Sequence, residues 1–200
     1  MTGDTRTRLL DAAEALARRR GYDGFSYADL SGAVGIRKAS VHHHFPQKSV
    51  LAAEMIGRYR ERFAAALAGI DARGGLAAER LEAYVALYRE AIGAEAAGGS
   101  AEGAARPVCL CVSLGLAGDR VPEPVRGQLR GFHRASLGWL RALIAAGEAD
   151  GSLAPAPDPR AWARGVLASM EGAQISARLA GGRRAFDPVA AEVLRNATRA

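Results

Sequence analysis

Three histidines stand in a row at His42, His43 and His44, with Arg37, Lys38, Ser40 and Lys48 around them. Two chemistries suit such a cluster. Imidazoles ligate metal ions, and cations, hydroxyls and flat rings together bind the phosphates and base edges of a nucleic acid. Spacing separates the two. On a helix, neighbouring side chains diverge by about 100°, so the three rings fan over about 200°. A helical metal site uses ligands at i and i+4, and no cysteine or fourth histidine lies near in sequence. No metal site is expected. Nucleic-acid contact by His42 or His43 is, and His44 is expected to face the helix that follows.

A second group is Cys109 and Cys111, just behind Arg106. A thiol near a helix N-terminus and an arginine has a lowered pKa and reacts as the thiolate. The other reading is that both are small buried apolar residues. A disulfide between them is not expected, because side chains two apart on a helix point to different faces. Elsewhere the chain has no G-x-S-x-G, G-x-x-x-x-G-K or H-E-x-x-H run, so the common hydrolase, nucleotide and metalloprotease signatures are missing. The enzymatic alternative that remains is thiol chemistry by Cys109 with His133 as its base. The other alternative is a helical interaction module without DNA affinity. The expected answer is no enzyme and no cofactor.

The elements that position these groups are helices. Ala, Leu, Arg and Glu dominate the 200 residues, Val and Ile are sparse, and the former are strong helix formers. The spacing predicts an all-α chain of about nine helices. Expected spans are about residues 5–20, 27–34, 38–44, 47–70, 76–95, 122–148, 159–180 and 188–198. Residues 109–118 suit a strand or a short buried helix. Residues 96–105 read as a loop. Gly21 is placed as a C′ residue, and Ser26 with Asp29 as a capping box. Gly35 and Pro46 break the short helices. Asp158-Pro159 and Asp187-Pro188 each read as an N-cap followed by proline at the first helical position. Two short helices around Val34-Gly35-Ile36 form a helix-turn-helix, with Leu30, Val34, Ile36, Val41 and Phe45 as its core.

The net charge is +6, and it is uneven: residues 1–70 hold 11 basic and 7 acidic side chains, the remainder 16 and 14. Excess positive charge is densest around the cluster, which favours a polyanion partner. The longest uncharged stretch near the middle is the 12 residues 107–118, too short for the roughly 18 that span a membrane. A polar start and two closely spaced cysteines predict no secretory leader, no disulfide framework and a cytoplasmic location.

The run GYDGFSYADLSGAVGIRKASVHHHFPQKSVL resembles the N-terminal domain of the TetR family of bacterial repressors. The resemblance lies in Gly21, Tyr22, Ser26, Leu30, Gly35, Ile36, Lys38, Val41, Phe45, Lys48 and Leu51. It implies a DNA-binding domain over residues 1–48 and a helical effector-binding and dimerisation domain over residues 49–200. It also implies a dimer on a palindromic operator, released by a small-molecule effector or by thiol modification. DNA contact is carried to Arg37, Lys38, Ser40, His42, His43 and Lys48, and to Tyr27 from the second helix. His42 stands where the family usually has Tyr, and Arg37 where it often has Ser or Thr, so the third helix is expected to lack a side-chain cap.

Expected lining residues of the effector site are Tyr84, Tyr88, Phe132, His133, Trp139, Met170 and Gln174, each of which also suits plain core. Gly165, Ala168, Ser169, Gly172, Ala173 and Ser176 form a stripe of small residues at helical spacing, which suits close approach of another helix. With the resemblance, Trp162, Gly165, Ser169, Gly172 and Ser176 become the expected dimer interface; contact within the subunit is the other reading. The stretch from Cys109 to Leu116 is similar to a subgroup of the family that answers electrophiles and oxidants, which implies a sensing role for Cys109.

Overall fold

A computed structural model describes residues 2–93 and 106–198. The loop expected over 96–105 lies outside the described residues. Nine α-helices are present among them: α1 Thr2–Arg20, α2 Tyr27–Val34, α3 Lys38–His44, α4 Lys48–Arg73, α5 Ala77–Ala91, α6 Leu110–Gly115, α7 Glu123–Asp150, α8 Pro159–Ala180 and α9 Arg183–Thr198. The ambiguous stretch 109–118 is thus a short buried helix, followed by a 3-10 turn at Gly118–Arg120. No described helix is long and apolar enough to cross a membrane.

The chain divides into two compact units, Met1–Arg62 with Leu110–Phe132, and Phe63–Cys109 with His133–Ala200. The first is built on α1, whose Leu9, Leu10, Ala13 and Ala17 are buried. The α1 helix ends at Gly21, which adopts φ 77° and donates its N–H to Ala17 O at 2.8 Å. A positive φ costs glycine little, which is why it sits there. The α6 helix packs on α1, and Ser113 Oγ donates to Ala17 O at 2.6 Å. Ser26 caps α2 as expected. Its Oγ accepts the Asp29 N–H at 3.3 Å, and Asp29 Oδ2 accepts the Ser26 N–H at 2.8 Å. Those bonds, with Arg20 nearby, hold the Asp29 carboxyl below its ordinary pKa.

The core of the second unit is made by Leu81, Tyr84, Val85, Tyr88, Leu140, Leu143, Ile144, Leu167, Met170 and Phe186. The α8 and α9 helices pack along each other, and α5 packs on both. Asp158 caps α8, accepting from Arg160 N at 2.8 Å and Ala161 N at 3.2 Å, with Pro159 at the first helical position. The parallel expectation for Asp187-Pro188 is corrected. The α9 helix starts at Arg183, and Pro188 lies inside it. Gly181 and Gly182, both at positive φ, turn the chain directly from α8 into α9. The helix is already running at Pro188, whose missing N–H leaves one helical carbonyl without its usual donor. Burial of Phe186 and Ala190 on either side offsets that loss. Asp187 caps nothing; it forms a two-pronged ion pair with Arg89, at 2.7 and 2.9 Å.

Candidate functional site

The turn between α2 and α3 is closed by local bonds. Gly35 takes φ 73°, and the N–H groups of Gly35 and Ile36 both reach Ser31 O, at 2.9 and 3.2 Å. Ser31 Oγ donates to Ile36 O at 2.6 Å, and Arg8 Nη2 donates to Val34 O at 2.7 Å. Val41 and Phe45 are fully buried beneath α3.

The C-terminal end of α3 is clamped from three directions. Arg6 lies 4.2 Å over the Phe45 ring, donates Nη1 to His44 O at 2.7 Å, and pairs with Glu54 of α4. Tyr27 donates its hydroxyl proton to Phe45 O at 2.7 Å. Lys48 donates to Phe25 O, with its ammonium 4.7 and 4.2 Å from the centres of the Tyr22 and Phe25 rings. Burial pulls the Lys48 pKa below its ordinary value, against the opposing pull of Asp23 and Asp29. Carbonyls at a helix end that would otherwise need water are therefore satisfied by protein. The short rod is fixed in place while its other face stays open.

That open face carries Arg37, Lys38, His42 and His43, all exposed, with Ser40 half-buried. Arg37 is the N-cap residue and makes no side-chain cap bond, as the sequence implies. The His42 ring packs edge-on against Tyr27 at 4.6 Å. Tyr27 itself is buried. A hydroxyl has one proton, and here Phe45 O takes it, so the expected phosphate contact from Tyr27 is corrected to a positioning role. Lys48 keeps two further N–H groups for phosphate. Arg6 and Arg8 were not singled out from the sequence, because their carbonyl partners lie on other helices. Tyr27→Phe is expected to lower stability by about 1 kcal/mol, the worth of one net hydrogen bond. It should also weaken duplex binding severalfold through a looser α3; denaturant melts and duplex titrations on one preparation check both.

The second unit brings five of the seven expected effector residues together in its core region. Tyr84 OH donates to Tyr88 OH at 3.2 Å, and the Tyr84 ring stacks on Trp139 at 5.2 Å and 17°. Met170 and Gln174 are fully buried. Gln174 accepts the Cys109 N–H at 2.7 Å and donates to Tyr88 O at 2.8 Å. Burial pushes the phenol pKa of both tyrosines well up. The other two residues are corrected. Phe132 belongs to the first unit, where its ring lies 6.1 Å from that of Tyr59, and His133, one step round the helix, is exposed. Cys109 is a buried thiol, 2% exposed, close enough to both tyrosines that a charge on it would oppose their ionisation.

Two polar groups here carried no readable signal in the sequence. Ser136 Oγ is buried with no hydrogen-bond partner among the described residues. Glu171 is largely buried, and desolvation raises its carboxyl pKa. An acid whose folded pKa is raised stabilises the fold below its unfolded value, about 4.3, and that contribution is lost as pH rises through the folded value. Glu171→Gln is therefore expected to raise the melting temperature at pH 7, with the gain shrinking toward pH 4. A fall at pH 7 would contradict this burial argument.

Along α8, Gly165, Gly172 and Ser176 are exposed, Trp162 and Ser169 are half-buried, and Leu179 is 81% exposed. A Cβ added at Gly165 or Gly172 would meet nothing within 4 Å. The small residues at these two positions are therefore not required by packing against other parts of the described chain.

The sequence profile of bacterial regulatory proteins of the tetR family matches residues 9–55, and that of the tetracyclin repressor-like C-terminal domain matches residues 77–193. The chain belongs to the TetR family. A TetR-family transcriptional regulator from Agrobacterium tumefaciens is 33% identical, covers 100% of both chains and superposes with a TM-score of 0.90. The repressor KstR2 of Rhodococcus jostii is 36% identical over 97 residues, a stretch spanning 44% of each protein. The fold is also that of AibR, solved in complex with isovaleryl coenzyme A and operator DNA, at 17% identity, 97% and 98% coverage and a TM-score of 0.72.

Proposed function

We propose that this chain is a one-component transcriptional repressor: a cytoplasmic homodimer that sets its two α3 helices in successive major grooves of a palindromic operator and leaves when a small molecule binds. The observation that carries this reading is the clamped, cationic α3. Its far end is tied down by Arg6, Tyr27 and Lys48, while Arg37, Lys38, His42 and His43 remain exposed. A fixed rod of that charge suits the groove. In this reading Arg37, Lys38, Ser40, His42, His43 and Lys48 contact DNA, residues 1–48 form the binding domain, and residues 49–200 hold effector and partner. KstR2 is described as a transcriptional repressor, which agrees.

The open small-residue face of α8 and the exposed Leu179 support pairing with a second copy. A two-fold dimer would place its reading heads about one helical turn of DNA apart. The effector would enter among Tyr84, Tyr88, Trp139, Met170 and Gln174, where Ser136 offers an unsatisfied hydroxyl. Thiol modification is the less supported trigger, since reactive cysteines are partly exposed and Cys109 is not. The same burial, with His133 at the surface, speaks against a Cys109–His133 enzyme. Sedimentation and gel shifts on the DNA upstream of the protein's own coding sequence test the reading. A dimer that shifts one discrete site supports it; a monomer, or a protein that ignores duplex, overturns it.

A further inference from the structure

The side chains of Leu137, Arg141, Arg160 and Arg164 line an open cleft of about 260 Å³ on the second unit. Leu137 and Arg141 are spaced i, i+4 on α7, and Arg160 and Arg164 are spaced i, i+4 on α8, so each helix turns one face to the cleft. Like charges at that spacing destabilise a helix. Elsewhere the guanidinium groups of Arg58, Arg62, Arg80, Arg89 and Arg126 are matched to carboxylates. Among the described residues none of the three cleft arginines has such a match. The acid nearest in sequence, Asp158, is already committed to the Arg160 and Ala161 N–H groups. Those bonds, and then the charges of Arg160 and Arg164, hold its carboxyl below the ordinary range.

We infer that this cleft binds a soluble organic phosphate. Three guanidinium forks offer more donors than the two oxygens of one carboxylate can accept, whereas a phosphate presents three oxygens to them. Three cations against one carboxylate leave a surplus that a doubly charged phosphate would neutralise. Leu137 gives the organic part an apolar wall. At about 30 Å³ per water, the volume holds roughly eight or nine waters, enough for a phosphate and an attached ring. This site is separate from the buried tyrosine cluster and does not depend on the effector reading.

Calorimetry on the full chain at low salt tests the inference with phenyl phosphate, inorganic phosphate, phenol, and vesicles of phosphatidylglycerol or phosphatidylcholine. Phenyl phosphate is expected to bind more tightly than inorganic phosphate, and phenol not at all. The double variant R141Q/R164Q should lose at least tenfold in affinity, and Arg141→Gln alone severalfold. Melting curve, oligomeric state and duplex affinity should stay those of the parent, since both side chains are exposed. No phosphate binding by the parent, or parent-like affinity in the double variant, overturns the inference. So does binding to anionic vesicles without binding of the soluble phosphate. A variant that changes oligomeric state or loses duplex affinity overturns it too, by assigning the arginines to a subunit contact or to DNA.

Discussion

Replacing Gln174 by leucine is expected to destabilise the protein by about 2–5 kcal/mol, because it strands two buried backbone groups at once. Gln174 is 0% exposed. Its carboxamide oxygen accepts the Cys109 N–H and its nitrogen donates to the Tyr88 carbonyl. Leucine fills much of the same volume, so a cavity term is small and added apolar burial favours the variant. Each stranded group costs roughly 1–3 kcal/mol, and two such losses exceed that gain. For a domain of this size each kcal/mol moves the midpoint by about 2–4 °C, so thermal melts should fall by roughly 5–20 °C. A second readout is thiol chemistry. Gln174 ties the segment before α6 to α5, so without it Cys109 should react faster with a maleimide. A melt within about 2 °C of the parent, with unchanged thiol reactivity, would contradict this account of the core.

Reversing the charges at the start of α3, R37E/K38E, should lower duplex affinity about a hundredfold or more at roughly 0.1 M salt. Folding needs neither cation. Both side chains are exposed, and neither forms an ion pair among the described residues. They also sit at the positive end of a helix, where acidic side chains are the stabilising ones. A fold-driven choice would therefore favour glutamate there, and the double variant should melt at or slightly above the parent. Loss of binding without loss of stability separates recognition from folding. The salt slope should shrink by about two, one for each lost phosphate contact. If the double variant binds as the parent does, α3 is not the reading element.

The helix-turn-helix was legible because its punctuation is local. Gly21, the Ser26–Asp29 box and Gly35 set their own turns within a few residues, and the structure keeps each of them. The start of α9 was misplaced for the same kind of reason. Asp187-Pro188 is a strong local signal, but the Gly181-Gly182 reversal starts the helix sooner and leaves that proline inside it. Tyr27 read as an exposed hydroxyl. It shares the i, i+3, i+7 face of α2 with Leu30 and Val34, all buried, so its helical phase was the better guide. Phe132 and His133 show the limit of picking aromatic neighbours as one site: a step of about 100° buries one and exposes the other. What the sequence withheld is non-local. The Arg6 clamp joins positions 38 and 48 residues apart, and the Gln174 bridges span 65 and 86. Periodicity and spacing do not name such partners.

The central claim is that α3 is a fixed cationic rod presented to duplex DNA by a paired body. The dependence of duplex affinity on salt concentration tests it most directly, measured on the full-length protein with its sedimentation state recorded alongside. Two copies of α3 and their flanks should make at least about six phosphate contacts, so the logarithm of affinity should fall against the logarithm of salt with a slope of about −5 or steeper. A slope near zero, or no binding at about 50 mM salt, would contradict it.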